Sequence, residues 1–318
     1  MNIRKAAILG AGAVGSYLIW GLSQRTDIQL GIIAEGERAQ RLKEKGCRIN
    51  GSLYHPEVWS PEEARGIDLL VVTLKYGALR PALPAIKEAV GSGTIVMSLM
   101  NGVDSEEIIS TVVPKEQILY SFIKIASRRT DGECIFDPET TQGIIYGEEK
   151  APFDSARVLA VQALFEGTGI HFRISEDILA ELWAKFRLNV CNNLAQAILG
   201  AGVGCYRDSV HMQAISDGLR GELMAIAAAR GIDLSRVDAS TDRGCAVLPS
   251  ARYSTLQDLD AGRHTEIDMF SGALMRMGEE LGIPTPYNTY TYHMIKALEE
   301  KNDGKFEYKG DEEVVWAK

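Results

Sequence analysis

The stretch KAAILGAGAVGSYLIWGL, residues 5–22, joins an apolar strand-like run to a helix-like run through GAGAVG. Gly10, Gly12 and Gly15 keep the spacing G-x-G-x-x-G, with Ala13 and Val14 between the last two. Each glycine answers a steric need. Gly10 allows the tight turn, Gly12 lets backbone approach a pyrophosphate, and Gly15 lets the helix pack close to the strand. The helix N-terminus then turns its free N–H groups toward phosphate. A Gly-rich turn alone is often only a turn. Here it follows a strand and opens a helix, the context that the dinucleotide-binding reading requires.

Arg4 and Lys5 ahead of this run imitate a secretory leader. Four glycines (Gly10, Gly12, Gly15, Gly21) interrupt the run before Leu22, and no small-x-small cleavage site follows in SQRTD. A cytoplasmic chain without a membrane span is therefore expected.

Outward from the loop, the first half alternates strand and helix. IQLGIIAE (28–35), IDLLVVTLK (67–75) and TIVMSLMNG (94–102) read as buried parallel strands. GERAQRLKEKG (36–46) and ALRPALPAIKEAVG (78–91) read as the helices between them. Val/Ile/Leu runs bounded by Gly and Asp mark strands covered on both faces, and the alternation predicts a doubly wound Rossmann-type α/β sheet. ILYSFIKIAS (118–127), ECIFDP (133–138) and GIIYGEE (143–149) suggest added edge strands. A helix over 155–169 and a last strand, IHFRIS (170–175), complete this part. Beyond Ser175 only helices are predicted: 176–199, 212–231 and 265–282. Length 318 suits two domains, with the boundary expected between 174 and 175: a dinucleotide-binding domain, 1–174, then an all-α domain, 175–318. The charged tail from Asn302 onward is expected to be partly disordered.

Ligands of open α/β sheets bind outside the carboxyl ends of the strands. Lys75 and Asn101 end two such strands, where cofactor and substrate would meet. A surface lysine and an Asn-Gly turn are the plain readings, and position rather than residue type favours function. At the end of the second strand, Glu35 suits the two ribose hydroxyls of NAD, whereas Arg38 and Arg41 suit a 2′-phosphate. A solvated helix start is the third reading, and the residues leave all three open.

The segment ELWAKFRLNVCNN (181–193) is unusual as a helix. At about 100° per residue, Phe186, Val190 and Trp183 form an apolar arc, and Lys185, Asn189 and Asn193 form a polar stripe overlapping it. Ala184 and Leu188 occupy the opposite side, so the stripe has no solvent face of its own. Either these side chains bond neighbouring helices, or they line a cleft for a polar substrate. Asn192 falls off the stripe's centre and carries no assigned role. A lysine is an ammonium at neutral pH. Beside a nicotinamide it can bond a ketone oxygen and supply the proton that hydride transfer demands. Farther on, ARYSTLQDLDAGRHTEIDMFSG carries Ser254, Asp258, His264, Glu266 and Asp268. Thr265 followed by acids reads as a helix N-cap. His264 lacks partners at ligand spacing, so no metal is expected.

The net charge of −9 with no basic run argues against nucleic acid and anionic membranes. An anionic substrate must then meet a local cation. The five scattered cysteines (47, 134, 191, 205, 245) fit a reducing compartment. Met269, Phe270, Leu274, Met275 and Met277 suit either a core or a homodimer face, leaving a homodimer open.

Taken in order, GAGAVG, TLK (73–75), MNGV (100–103), ELWAKFRLNVCNN, STLQDLDAGRHTEID (254–268) and GIPTPYN (282–288) resemble the ketopantoate reductase (2-dehydropantoate 2-reductase) family over nearly the whole chain. The resemblance implies a Rossmann domain followed by a helical domain, and reduction of 2-dehydropantoate to (R)-pantoate with NADPH in pantothenate biosynthesis. It implies Lys185 as general acid, Asn189 and Asn193 as substrate-binding residues, and Ser254 on the substrate carboxylate. Glu266 would hold the terminal hydroxyl and the catalytic geometry. Lys75 and Asn101 match polar positions near the nicotinamide. Glu35 departs from the family's usual basic residue and keeps NAD open. The family's S-M-x-x-D pattern stands here as S-T-L-Q-D. Such departures leave another 2-oxo acid as an alternative substrate, and a catalytically silent dinucleotide sensor as an alternative function.

Overall fold

The computed structural model describes residues 2–237 and 248–308, so Cys245 and the last ten residues of the charged tail lie outside the described residues. The chain divides into two compact units between Leu182 and Trp183.

The first unit runs β1 (Lys5–Leu9), α1 (Ala13–Leu22), β2 (Gln29–Ile33), α2 (Gly36–Lys45), β3 (Cys47–Ile49), β4 (Ser52–Tyr54), β5 (Glu57–Trp59) and β6 (Ile67–Val72). It continues with α3 (Leu79–Ala89), β7 (Val90–Ser98), α4 (Ser105–Ile109), β8 (Ile118–Lys124), β9 (Ser127–Thr130), β10 (Glu133–Phe136), β11 (Gly143–Gly147), α5 (Ala156–Phe165) and β12 (Phe172–Ile174). Eight strands form one sheet in the order β12-β11-β8-β7-β6-β1-β2-β5. All neighbouring pairs are parallel except β8 with β11. Successive side chains of a strand point to opposite faces, and β1 uses both. Ala6 and Ile8 pack with Tyr17, Leu18 and Ile19 of α1 and Val158 and Val161 of α5. Ala7 and Leu9 pack with Leu79 and Ile86 of α3 and Ile108 and Ile109 of α4. Two apolar faces, each covered by helices, make the sheet doubly wound.

One expectation needs correction. ECIFDP is not an edge strand of the main sheet. Its β10 belongs to a second, four-stranded sheet in the order β4-β3-β10-β9, and ILYSFIKIAS splits between the two sheets as β8 and β9. Two tight hairpins build this small sheet. Asn50 (φ +47°) with Gly51 (φ +80°) joins β3 to β4, and Asp131 (φ +50°) with Gly132 (φ +83°) joins β9 to β10. Two-residue turns with both φ positive match the strand twist and favour Asn-Gly and Asp-Gly. The small sheet packs on the α1 side through Phe136, which meets Tyr17 and Trp20 edge-on at 5.2 and 5.6 Å between ring centroids.

Helix α6 (Ile178–Leu188) spans the division between the units. Ile178 and Leu182 pack with Phe122 of β8 and Ile145 of β11, so the first turns of α6 go with the sheet.

The second unit continues through a π turn, Asn189–Asn193, into α7 (Leu194–Leu199), α8 (Cys205–Asp208) and α9 (Val210–Ala229). After the undescribed segment come α10 (Ser254–Asp260), α11 (Ser271–Leu281) and α12 (Pro286–Asn302). No strand occurs among its described residues. Met269, Phe270, Leu274 and Met277 are buried within the chain. The predicted helix over 265–282 begins only at Ser271, and 266–270 form consecutive turns. The N-cap reading of Thr265 therefore fails. Its Oγ accepts from the Ile267 amide (3.2 Å) and donates to Glu299 of α12 (2.7 Å). α12 itself starts at Pro286, and buried Glu222 of α9 accepts from the Tyr287 and Asn288 amides at 2.7 and 3.0 Å.

Candidate active site

In the first unit, the strand order lines up the carboxyl ends of β7, β6, β1 and β2. Asn101, Lys75, the glycine loop and Glu35 come directly after those four ends in turn. The chain runs from β1 to β2 on one side and returns to β6 on the other, so the loop lies at a topological switch point. Gly10 has φ +117°, and a Cβ there would stand 2.7 Å from the Thr73 carbonyl oxygen. A Cβ on Gly15 would collide with the Gly10 carbonyl and stand 3.0 Å from Thr73 Oγ1. That hydroxyl donates to the Gly10 carbonyl at 2.5 Å, tying the loop to the end of β6. Gly12 differs, since a Cβ on it would meet nothing within 4 Å. The open side of Gly12, with Ala13 and Val14 starting α1, is the cradle that a pyrophosphate needs. Gly10, Gly12, Ala13, Val14 and Gly15 thus fit a dinucleotide.

Lys75 is exposed and Asn101 half-buried, with Gly102 (φ +91°) turning the chain behind it. Glu35, Arg38 and Arg41 are all exposed, Glu35 at the N-cap of α2. Asp104, Ser105 and Glu106, a few residues past Asn101, are buried polar groups outside the predicted site. Tyr76 donates to Asp104 at 2.6 Å, and Ser105 Oγ donates to Glu106 at 2.7 Å. Burial pushes the Glu106 carboxyl up to about 7, against the hydrogen bond from Ser105 and with a further push from the Asp104 charge.

In the second unit, α6 carries Lys185 half-buried between buried Ala184 and Phe186. Asn189 and Asn193 do not continue a regular 100° stripe. The π turn's i→i+5 bonding takes an extra residue and rotates the residues after it. Lys185, Asn189 and Asn192 are half-buried, so the polar side of the helix is half-open rather than sealed. Asn193 is buried and directs its Nδ2 to Ser254 Oγ at 3.5 Å, a long hydrogen bond. Ser254 is exposed at the start of α10.

Glu266 is half-buried in the turns before α11. Phe186, next to Lys185, meets Phe270 at 6.3 Å between centroids, which brings the Lys185 helix against the Glu266 turns. Those turns are pinned by Glu299, which accepts from the amide and the hydroxyl of Thr265, both at 2.7 Å. Asp268 serves α12 rather than a helix cap. Although burial raises its pKa, Lys296 and Tyr292, each at 2.8 Å, hold the carboxyl below the usual range. His264 pairs with Asp303 at 2.9 Å. Among the described residues, no group of three His, Cys, Asp or Glu could hold a metal, and no helix is long and apolar enough to cross a membrane.

At 28% and 27% identity, the 2-dehydropantoate 2-reductases of Archaeoglobus fulgidus and Pyrococcus horikoshii each match 94% of this chain and 99% of their own length. The crystal structure of a PanE/ApbA family ketopantoate reductase from Ralstonia eutropha JMP134 matches 94% of this chain and all of its own, with 25% identity and a TM-score of 0.80. D-Mandelate dehydrogenase in complex with NADH shares the fold at 24% identity, with a TM-score of 0.81 over 94% of this chain and 99% of its own. Residues 6–148 match the family model for ketopantoate reductase PanE/ApbA, and residues 177–299 match the model for its C-terminal part. With its glycine loop in one matched segment and its lysine helix in the other, the chain belongs to the ketopantoate reductase family of NAD(P)-dependent oxidoreductases.

Proposed function

We propose that this protein reduces 2-dehydropantoate to (R)-pantoate, a step of pantothenate biosynthesis, with NADPH as reductant and Lys185 as general acid. Reducing a ketone adds a hydride to carbon and a proton to oxygen. When bound, the reduced nicotinamide supplies the hydride. The first unit would hold the dinucleotide on Gly10, Gly12, Ala13, Val14 and Gly15, with Lys75 and Asn101 toward the nicotinamide end. The Lys185 ammonium hydrogen-bonds the ketone oxygen, stabilises the growing negative charge and gives up its proton. Ser254 and Asn193 donate to the substrate carboxylate, and Asn189 adds a further donor. Glu266 accepts from the terminal hydroxyl and selects acids that carry one.

The observation that carries this reading is the Asn193–Ser254 contact. It joins the lysine helix to a serine 61 residues away, producing one patch of donors suited to a carboxylate. The global charge of −9 would repel an anion, so local donors and the Lys185 charge must hold it. The names of the relatives, 2-dehydropantoate 2-reductases, support the substrate.

Glu35 supports a second reading, with NADH as the reductant. A carboxylate at the end of β2 accepts from both ribose hydroxyls and repels a 2′-phosphate. Arg38, one turn along α2, favours NADPH. The decisive assay mixes protein and 2-dehydropantoate with NADPH or NADH and follows loss of the reduced-nicotinamide absorbance. Faster turnover with NADPH is expected. Faster turnover with NADH replaces the reductant, and no oxidation with either overturns the proposal.

A further inference from the structure

The π turn between α6 and α7 is met by a side chain from outside those helices. An uninterrupted α-helix joins the amide of Gln196 directly to the carbonyl of Asn192. Here the Tyr206 hydroxyl bridges that pair. It accepts from the Gln196 amide at 3.0 Å and donates to the Asn192 carbonyl at 2.9 Å. One phenol has one hydrogen to give and lone pairs to receive, so the bridge uses it in both senses. The Gln196 side chain adds a second donor to the Asn192 carbonyl at 2.9 Å. A side chain inserted in the i→i−4 ladder is a recognised cause of helix distortion. Burial raises the Tyr206 pKa, which keeps the hydroxyl protonated and able to donate.

The segment that carries Tyr206 is tied in turn to the approach to Ser254. The Val203 and Gly204 amides donate to the Ala251 and Pro249 carbonyls, both at 2.9 Å. A Cβ on Gly204 would stand 2.7 Å from Pro249 Cβ, so the two strands of chain touch. Arg252 reaches the Gly200 carbonyl at 3.2 Å and forks onto Asp260 at 2.7 and 2.8 Å. The contacts close a ring: Tyr206 to Asn192 and Gln196, Asn193 to Ser254, and residues 249–252 back to 200–204.

We infer that Tyr206 is a positioning residue: its hydroxyl splices the π turn and so sets the direction of Asn189 and Asn193 relative to Ser254. Its hydroxyl is taken up by the Gln196 amide and the Asn192 carbonyl, so it acts through the turn. Its bearing on substrate binding rests on the proposed 2-oxo acid reductase reading, whereas its bearing on the turn does not.

The test is Tyr206→Phe in the full chain, which keeps the ring and removes the bridge. Misplacing binding groups by about 1 Å can cost roughly a hundredfold, so kcat/KM for 2-dehydropantoate should fall by roughly tenfold or more, mainly through KM. The Kd for NADPH should stay within about twofold, since this unit carries none of the glycine loop. Hydrogen–deuterium exchange should change over residues 189–196 and remain as in the wild type over β1 and α1. Unchanged KM together with unchanged exchange at 189–196 overturns the inference, as does an equal loss of NADPH affinity. A wild-type chain inactive on every 2-oxo acid tried sinks the reductase reading instead. The exchange measurement then still decides the splice: altered exchange supports it and unaltered exchange overturns it.

Discussion

Gly12 and Gly15 stand three residues apart in one loop, yet their surroundings separate their roles. Gly15→Ala places a methyl group against the Gly10 carbonyl and Thr73 Oγ1. Overpacking of this kind costs roughly 1–3 kcal/mol or more, so the variant should unfold at lower urea concentration even without cofactor. Gly12→Ala meets nothing in the protein. Its stability should remain within about 1 kcal/mol of the wild type, because only a cap preference is lost. Dinucleotide binding should weaken strongly, as isothermal titration would report. Equal effects of the two substitutions would count against the pyrophosphate cradle. At Lys185 the expectation concerns rate. Removing a general acid costs roughly 10²–10⁴-fold, so Lys185→Ala should lower kcat by that order and leave nucleotide affinity unchanged. An unaffected kcat would remove Lys185 from the proposed mechanism. The glycines were legible from spacing because the turn that needs them lies within six consecutive residues. Thr73 lay in view within TLK, but its hydrogen bond to Gly10 crosses between two strands and has no mark in the sequence.

Elements differ in how plainly their sequences announce them. The buried strands were readable because both faces are apolar. The two small hairpins carried their signal in Asn50-Gly51 and Asp131-Gly132, and ECIFDP read as a strand, yet three- and four-residue strands are too short to mark which sheet they join. Helix α12 was harder. Its buried face is Asn288, Thr291, Ile295 and Glu299, so three of the four inward positions are polar and the usual apolar stripe is absent. Those polar residues work as anchors. Glu299, 2% exposed, receives the Thr265 amide and hydroxyl and holds the turns that present Glu266. Glu299→Ala leaves both donors unsatisfied at roughly 1–3 kcal/mol, so urea denaturation should show a loss of that size and kcat/KM should fall with it. Glu299→Gln keeps an acceptor oxygen and should recover most of both. If Gln and Ala behave alike, hydrogen-bond acceptance by residue 299 is not what holds the turns.

Across the whole molecule, the buried Glu106 gives stability a pH dependence with a definite sign. Its carboxyl ionises near 4.5 when unfolded and at about 7 in the fold. Below the unfolded value it is protonated in both states, and its contribution to stability is fully present. As pH rises, the unfolded chain releases the proton first, so stability falls and the loss is complete above about 7. The size is on the order of 1–3 kcal/mol. Urea unfolding at pH 5 and pH 8 should show the wild type losing stability, and Glu106→Gln should lose less; parallel losses would rule out Glu106 as the source. By itself the sequence determined the doubly wound sheet, the glycine turn between β1 and α1 and the helical second part, because these arise from patterns along a few neighbouring residues. It also placed Lys185, Asn189 and Asn193 on one continuous helical segment, without its π turn. Only the tertiary structure decided how that helix is wound, because the π turn depends on a hydroxyl that arrives from Tyr206, ten residues beyond Gln196. The same holds for Asn193 with Ser254 and for Thr265 with Glu299. Contacts between distant residues are chosen by packing, and no local periodicity encodes them.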